Sequence, residues 1–397
     1  MSPRCLIPGL VAPAALLLAL CEDHPCDAAP SSGFVAGPNS PIAVGRGPGA
    51  PAVSDFNGDA KPDIALLSGS RSETRAGHNL LILLNDGAAR FSASPAGRID
   101  VGESPSEVAT ADFSGDGNSD IAVMSHDSYL VHLFLGDGKG GMNRAPGSPF
   151  PAHNGARPHT HALVAADVNA DGRTDLLTTN AADDAISILL NNGGARFTAA
   201  PGSPFPAPRH PYSSLAVRDL NGDGHIDVAA PLLESGEIGV YLGDGTGRFS
   251  PAPGAPYRVA ARPGFVHADD LNGDGRPDLL ATHDDVGMVD VLLNDGGGRF
   301  RFAPGSPVRT GPMVWGIITD DFDGDGDRDA ILNTNRGRSL VLILGDGRGG
   351  FTESDGAALE TGDAASRLVC VDLNGDGRKD IVATNEGSGD VTVLLRR

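Results

Sequence analysis

Short apolar runs separated by Gly, Asp and Asn recur along the chain from residue 33 onward. Ser214 to Val217, Trp315 to Ile318 and Asp227 to Ala230 are runs of one kind. Ile186 to Leu190, Val289 to Leu293 and Leu340 to Leu344 are slightly longer and follow downstream of the first kind. Segments this short, bounded by turn residues, predict strands rather than helices. The turns after the longer runs read Asn85-Asp86-Gly87, Gly243-Asp244-Gly245 and Gly345-Asp346-Gly347, and they lead to Phe91, Phe249 and Phe351. Turns of this composition tolerate the positive φ of tight hairpins. Each Phe is therefore expected to open a fourth antiparallel strand.

Between the first two runs of every unit sits a nine-residue loop, Asp-x-Asn/Asp-x-Asp-Gly-x-x-Asp. Its copies begin at Asp55, Asp112, Asp167, Asp219, Asp270, Asp321 and Asp372, at steps of 57, 55, 52, 51, 51 and 51 residues. Four strands in a unit of about 50 residues predict an all-β fold, a seven-bladed β-propeller of four-stranded antiparallel blades over residues 33–397. The last copy reaches only a third strand, Val391 to Leu395, before the chain stops at Arg397. Phe249, Phe300 and Phe351 each precede the next loop by 21 residues, and Phe34 precedes Asp55 by the same 21. Residues 33–45 are thus expected to supply the fourth strand of blade 7, closing the ring and removing its free edges.

The charge lies mostly in these loops. The chain carries 51 Asp+Glu against 30 Lys+Arg, a formal charge of −21. Setting aside the acids at loop positions 1, 5 and 9, and Asp323, leaves 29 acids against 30 bases. No basic face for nucleic acid is expected from this balance. The loops gather side-chain oxygens in seven sets: Asp55, Asn57, Asp59 and Asp63; Asp112, Ser114, Asp116 and Asp120; Asp167, Asn169, Asp171 and Asp175; Asp219, Asn221, Asp223 and Asp227; Asp270, Asn272, Asp274 and Asp278; Asp321, Asp323, Asp325 and Asp329; Asp372, Asn374, Asp376 and Asp380. Carboxylates this close repel unless a cation sits among them, and oxygen donors without His or Cys select Ca²⁺ over Mg²⁺ or Mn²⁺. Up to seven Ca²⁺, mainly structural, are expected, with the carbonyl of position 7, as at Arg276, a further ligand. Position 6 is Gly in six copies and Ala60 in the first, while Ser114 is a weaker oxygen at position 3 of the second. These two loops are expected to bind metal less tightly, and the sixth, with Asp323 and Asp327, is the most acidic.

The run Asp270-Leu271-Asn272-Gly273-Asp274-Gly275-Arg276-Pro277-Asp278, followed by Val291-Leu292-Leu293-Asn294-Asp295-Gly296 and Phe300, resembles bacterial FG-GAP (VCBS-type) repeats. The same repeat builds the seven-bladed head of integrin α-subunits and certain fungal lectins. The resemblance implies calcium on one face of the ring and ligand recognition on the opposite face or between blades. It names no ligand, because the family spans adhesion, sugar binding and domains attached to enzymes.

If the Asp loops occupy one rim, the connections from strand four to the next strand one occupy the other. They carry His153, Arg157, His159 and His161, then Arg209, His210 and Tyr212, then Arg262, Phe265 and His267, then Met313 and Trp315. His159, His161, His210, Tyr212, Phe265, His267 and Trp315 are the candidate ligand-binding residues, since aromatic and His side chains on such loops suit sugar stacking or protein contact. Each ring also suits packing between blades. His159 and His161 alternate as zinc ligands on a strand do, but spacing places no third ligand, so hydrogen-bonded or solvated histidines are expected. No nucleophile triad, acid pair outside the loops or phosphate-cradling Gly loop is present. The expected function is a secreted, calcium-binding module for glycans or a protein surface; the alternative is a secreted polysaccharide lyase or hydrolase on the same ring.

At the N-terminus, Arg4 precedes an apolar run from Cys5 to Leu20, followed by Ala28 and Ala29. Residues 1–29 read as a secretory signal peptide, because the run is interrupted by Pro8 and Pro13 and short for a bilayer span. Leu20 stands where a lipoprotein signal wants a small residue before Cys21, so lipidation is the lesser expectation. The mature chain is expected outside the cytoplasm or at the cell surface, as a monomer with no membrane span. Cys370 alternates with Val369 and Val371 and reads as a buried, inert thiol.

Overall fold

The computed structural model describes residues 33–69, 78–153, 155–283, 285–311, 313–334, 337–356 and 358–397. The expected leader, with Cys5, Cys21 and Cys26, lies outside the described residues. Seven antiparallel sheets form seven blades, numbered here in chain order, and one short 3-10 turn at Ala181–Asp183 is the single helical element among the described residues. Strand two of each blade begins at position 9 of an Asp loop: Asp63–Ser68, Asp120–Ser125, Asp175–Asn180, Asp227–Leu232, Asp278–His283, Asp329–Asn333 and Asp380–Asn385. Every residue of these strands is buried. Their near-continuous apolar sequence follows from that position, with a neighbouring blade against both faces.

The core is accordingly divided among the interfaces. Seven apolar clusters each join one blade to the next: blades 1 and 2, 2 and 3, 3 and 4, 4 and 5, 5 and 6, 6 and 7, and 7 and 1. Position 2 of each Asp loop plugs one of these clusters. Phe56, Phe113, Val168, Leu220, Leu271, Phe322 and Leu373 are all buried there. Strands one of adjacent blades touch around the central channel, as Pro105–Ala111 does with Pro51–Ser54 and with Leu163–Ala166.

The N-terminal segment completes blade 7, as the 21-residue spacing predicts. Phe34 pairs with Arg396 and Ala36 with Leu394, and Ile42 pairs with Val391. Phe34 is buried in the cluster between blades 6 and 7, with its ring centroid 6.0 Å from that of Phe322. Strand four is one continuous element only in blade 1, Phe91–Asp100; elsewhere it is two pieces, as with Phe34–Ala36 and Ile42–Ala43. Pro-x-Ser-Pro separates the pieces in several blades, and the Ser hydroxyl accepts a strand-three amide: Ser40 from Val393 at 2.9 Å, Ser148 from Leu133 at 2.8 Å, Ser203 from Ile188 at 2.8 Å and Ser306 from Val291 at 3.0 Å. That motif at Pro38-Asn39-Ser40-Pro41 marks the displaced strand independently of Phe34.

Candidate functional site

The antiparallel order puts the Asp loops and the strand three to four turns on one rim of the ring. The strand two to three turns and the connections between blades lie on the other. Within each loop the position-1 carboxylate is wrapped by backbone amides. Asp270 accepts from Asp274 at 3.1 Å and Gly275 at 2.8 Å, and Asp321 accepts from Gly324 at 2.6 Å and Gly326 at 3.2 Å. The chain turns through positive φ at position 6 in every loop, including Ala60 at 64°. It does so at position 4 as well, where six copies have Gly and the third has Ala170 at 56°. The sequence reading singled out position 6 and missed position 4, which is legible as a second Gly column.

Position 9 is the least exposed of the four candidate ligands. Asp63, Asp120, Asp175, Asp227, Asp278, Asp329 and Asp380 are each 0% exposed. One oxygen of Asp278 accepts the amide of Leu271 at 3.1 Å and the other accepts that of Asn294 at 2.7 Å. The other six repeat this bridge between loop and strand three, with Ser114 replacing the position-2 amide at Asp120. Burial pushes all seven carboxyls up, Asp175, Asp227 and Asp278 to about 6, and the acids at positions 1 and 5 add to this in most loops. Two position-5 acids go the other way: the amide of Arg378 holds Asp376 low, and that of Asn118 does the same for Asp116. The position-7 side chain pairs with position 5 at Arg378 and Asp376, 2.8 Å, and at Lys61 and Asp59, 3.2 Å. In the sixth loop, oxygens of Asp321, Asp323 and Asp325 lie within 4.8 Å of one another. The donors are all oxygen and three carboxylates crowd one point, so the set fits a hard divalent cation.

The other rim collects the predicted rings into one group. His159 and His161 stand 4.5 Å apart by ring centroids, His159 is 5.6 Å from His210, and His161 is 4.4 Å from Tyr212. Tyr212 meets Trp315 at 6.0 Å, and Trp315 meets Phe265 at 5.5 Å. All six are partly exposed, so none is consumed by packing between blades. His267 is not part of this group. It lies on the channel wall of strand Pro263–Asp269, with Nε2 2.9 Å from the Thr319 hydroxyl, and burial lowers it to about 4. His153 and Arg157 are also held elsewhere, Nε2 of the first 3.2 Å and Nε of the second 3.5 Å from the Asp183 carboxylate.

Three contributors were not visible in the spacing. His126, on the strand two to three turn of blade 2, packs at 4.6 Å from His159 and 4.9 Å from His161. Arg367 of blade 7 reaches Glu107 of blade 2 at 2.6 Å and lies 5.2 Å over the Phe265 ring of blade 5, crossing the channel beneath the rings. A cavity of about 350 Å³ opens there, lined by Ser106, Glu107, His126, His161, Arg367 and Glu386 among others. A larger one of about 430 Å³ lies against blades 6 and 7, lined by Leu340, Leu342, Arg396 and Asp323 of the sixth Asp loop, away from the ring cluster. Cys370 is a free thiol, partly rather than fully buried, and that burial pushes it up to about 11.

Residues 55–123, 115–178, 167–230, 270–332 and 321–383 match the model of the FG-GAP-like repeat, and together they take in all seven Asp loops. No curated protein matches the sequence. Among solved structures, BBS1N in complex with ARL6DN is similar over 92% of this chain and 98% of that one, with a TM-score of 0.63 and 10% identity. An Agrocybe aegerita lectin, solved for its recognition of non-reducing terminal N-acetylglucosamine, is similar over 80% and 89%, with a TM-score of 0.50 and 19% identity. Virginiamycin B lyase from Staphylococcus aureus with quinupristin is similar over 91% and 99%, with a TM-score of 0.54 and 11% identity. At these identities the likeness is one of fold, whereas the repeat matches cover most of the chain: it belongs to the FG-GAP-like repeat family.

Proposed function

We propose that this protein is an exported, calcium-stabilised propeller that binds glycans through the rim opposite its Asp loops. The observation that carries this reading is the run of partly exposed rings from His159 through His161 and Tyr212 to Trp315 and Phe265, drawn from blades 3, 4, 5 and 6. Sugars stack on such rings, and the Glu107 and Arg367 pair beneath them offers charged hydrogen-bonding groups. The lectin of similar fold lends support to a glycan ligand. At the other rim the Asp-loop oxygens would hold Ca²⁺, each ion tying strand one to strand two. Their weak binding, of order 10⁻⁴ to 10⁻³ M as in extracellular modules, suits the export suggested by the apolar leader.

A glycan array probed with and without chelator tests the reading. Calcium-dependent retention on defined glycans, without turnover, is expected. Release of products from an acidic polysaccharide would instead favour a lyase, and absence of retention on any glycan would sink the proposal.

A further inference from the structure

We infer that His126, His159 and His161 form a binding site for a divalent transition-metal ion, of the Zn²⁺ and Co²⁺ class, at the mouth of the channel. One ring nitrogen from each lies within 4.8 Å of the other two. The three imidazoles form a triangle with centroid distances of 4.5, 4.6 and 4.9 Å. Nitrogens sharing one tetrahedral Zn²⁺ stand about 3.3 Å apart, as follows from Zn–N bonds of about 2.05 Å. Rotations of the side chains by an ångström or so therefore suffice to close the set.

The surroundings of two of the rings point the same way. His126 Nδ1 lies 2.5 Å from the Asp127 carboxylate. A carboxylate at one ring nitrogen fixes the tautomer and leaves the other nitrogen free to ligate, which is how metal-binding histidines are commonly held. His161 Nε2 is buried and makes no hydrogen bond, an expense that a metal bond would remove.

The ligand chemistry separates this site from the Asp loops. Imidazole nitrogens favour Zn²⁺, Co²⁺, Ni²⁺ and Cu²⁺, whereas the all-oxygen loops favour Ca²⁺. His126 and His161 both line the 350 Å³ cavity. Three protein ligands beside an open cavity leave a coordination position for water or a ligand oxygen, the arrangement of open rather than closed zinc sites. The inference does not depend on what the face recognises, because it concerns metal alone.

The full chain, stripped with chelator and returned to millimolar Ca²⁺ to occupy the Asp loops, is titrated with Co²⁺ and then with Zn²⁺ in competition. One equivalent of Co²⁺ should give visible d–d absorption that Zn²⁺ abolishes. His126→Ala and His161→Ala should each weaken binding at least about 100-fold, and Asp127→Asn about 10-fold, as losses of ligands and of their supporting partners do. Asp127 is exposed, so its variant keeps the test readable if a His variant fails to fold. Absence of a one-equivalent site, or a titration that Asp127→Asn and the folded His variants leave unchanged, would overturn the inference.

Discussion

The Tyr212 ring meets the Trp315 indole edge-on at 6.0 Å, although they belong to blades 4 and 6 and blade 5 lies between them in the ring. Contact between non-adjacent blades requires both side chains to lean over the channel mouth. Phe265 of blade 5 completes the group at 5.5 Å from Trp315, and the Trp315 carbonyl accepts the Thr282 hydroxyl below it. Tyr212→Ala should therefore expose the indole. Because Trp315 is the one Trp in the chain, its emission should shift to the red in the unliganded variant, with stability lowered by about 1 kcal/mol for the lost ring pair. A fluorescence spectrum and a urea melt check both parts.

The Asp loops predict two classes of variant. Asp278 accepts two backbone amides, so Asp278→Asn turns a donor toward an amide and should cost about 2 kcal/mol even in chelator. Asp274 is a partly exposed carboxylate at position 5, and Asp274→Asn should leave the chelated protein within about 0.5 kcal/mol of the parent while reducing the rise in Tm that millimolar Ca²⁺ produces. Differential scanning of the three proteins, each with Ca²⁺ and with chelator, separates the classes. An unchanged parent Tm on adding Ca²⁺ would remove calcium from the account.

Much of the fold is legible in the sequence because a propeller repeats one unit, and seven Asp loops fix both period and phase. The displaced strand is legible for the same reason, through Phe34 and its spacing. The binding rim is less so. His159 and His161 attract attention by alternating, but His126 precedes them on a different turn and is brought to them only by the docking of blade 3 on blade 2. Arg367 and Glu107 meet across the channel, a contact that no local period encodes. His267 shows the converse error: residue type and proximity to Phe265 suggested the rim, while its place two residues further along the same strand face, toward the Asp loop, sets its side chain against Thr319.

Ring closure rests on contacts between the chain ends. Arg397 donates to the Gly33 carbonyl at 2.8 Å, and Asn85 Nδ2 of blade 1 donates to the Leu373 carbonyl of blade 7 at 2.8 Å. Deleting residues 33–44 removes the outer strand of blade 7 and uncovers strand Asp390–Arg396. The deletion should lower Tm and produce species larger than the monomer in gel filtration, as an open edge invites pairing. An unchanged Tm with an unchanged elution volume would contradict this.

His267 gives the fold a defined response to acid. Burial lowers its folded value to about 4, below the ordinary 6.5, so the folded protein holds fewer protons on this group than the unfolded chain. Its contribution is complete above pH 6.5 and is lost as pH falls toward 4, at up to about 1.4 kcal/mol per pH unit. His267→Gln keeps a hydrogen-bonding group for Thr319 without titrating. Urea midpoints at pH 7 and pH 5 should therefore differ less for the variant than for the parent.

The emission of Trp315 during titration of calcium-loaded protein with oligosaccharides retained on the array tests the binding rim most directly. A saturable change in the parent, lost in Tyr212→Ala, is the predicted result. Oligosaccharide binding that leaves Trp315 emission unaltered and survives Tyr212→Ala would place recognition elsewhere on the ring and contradict the account.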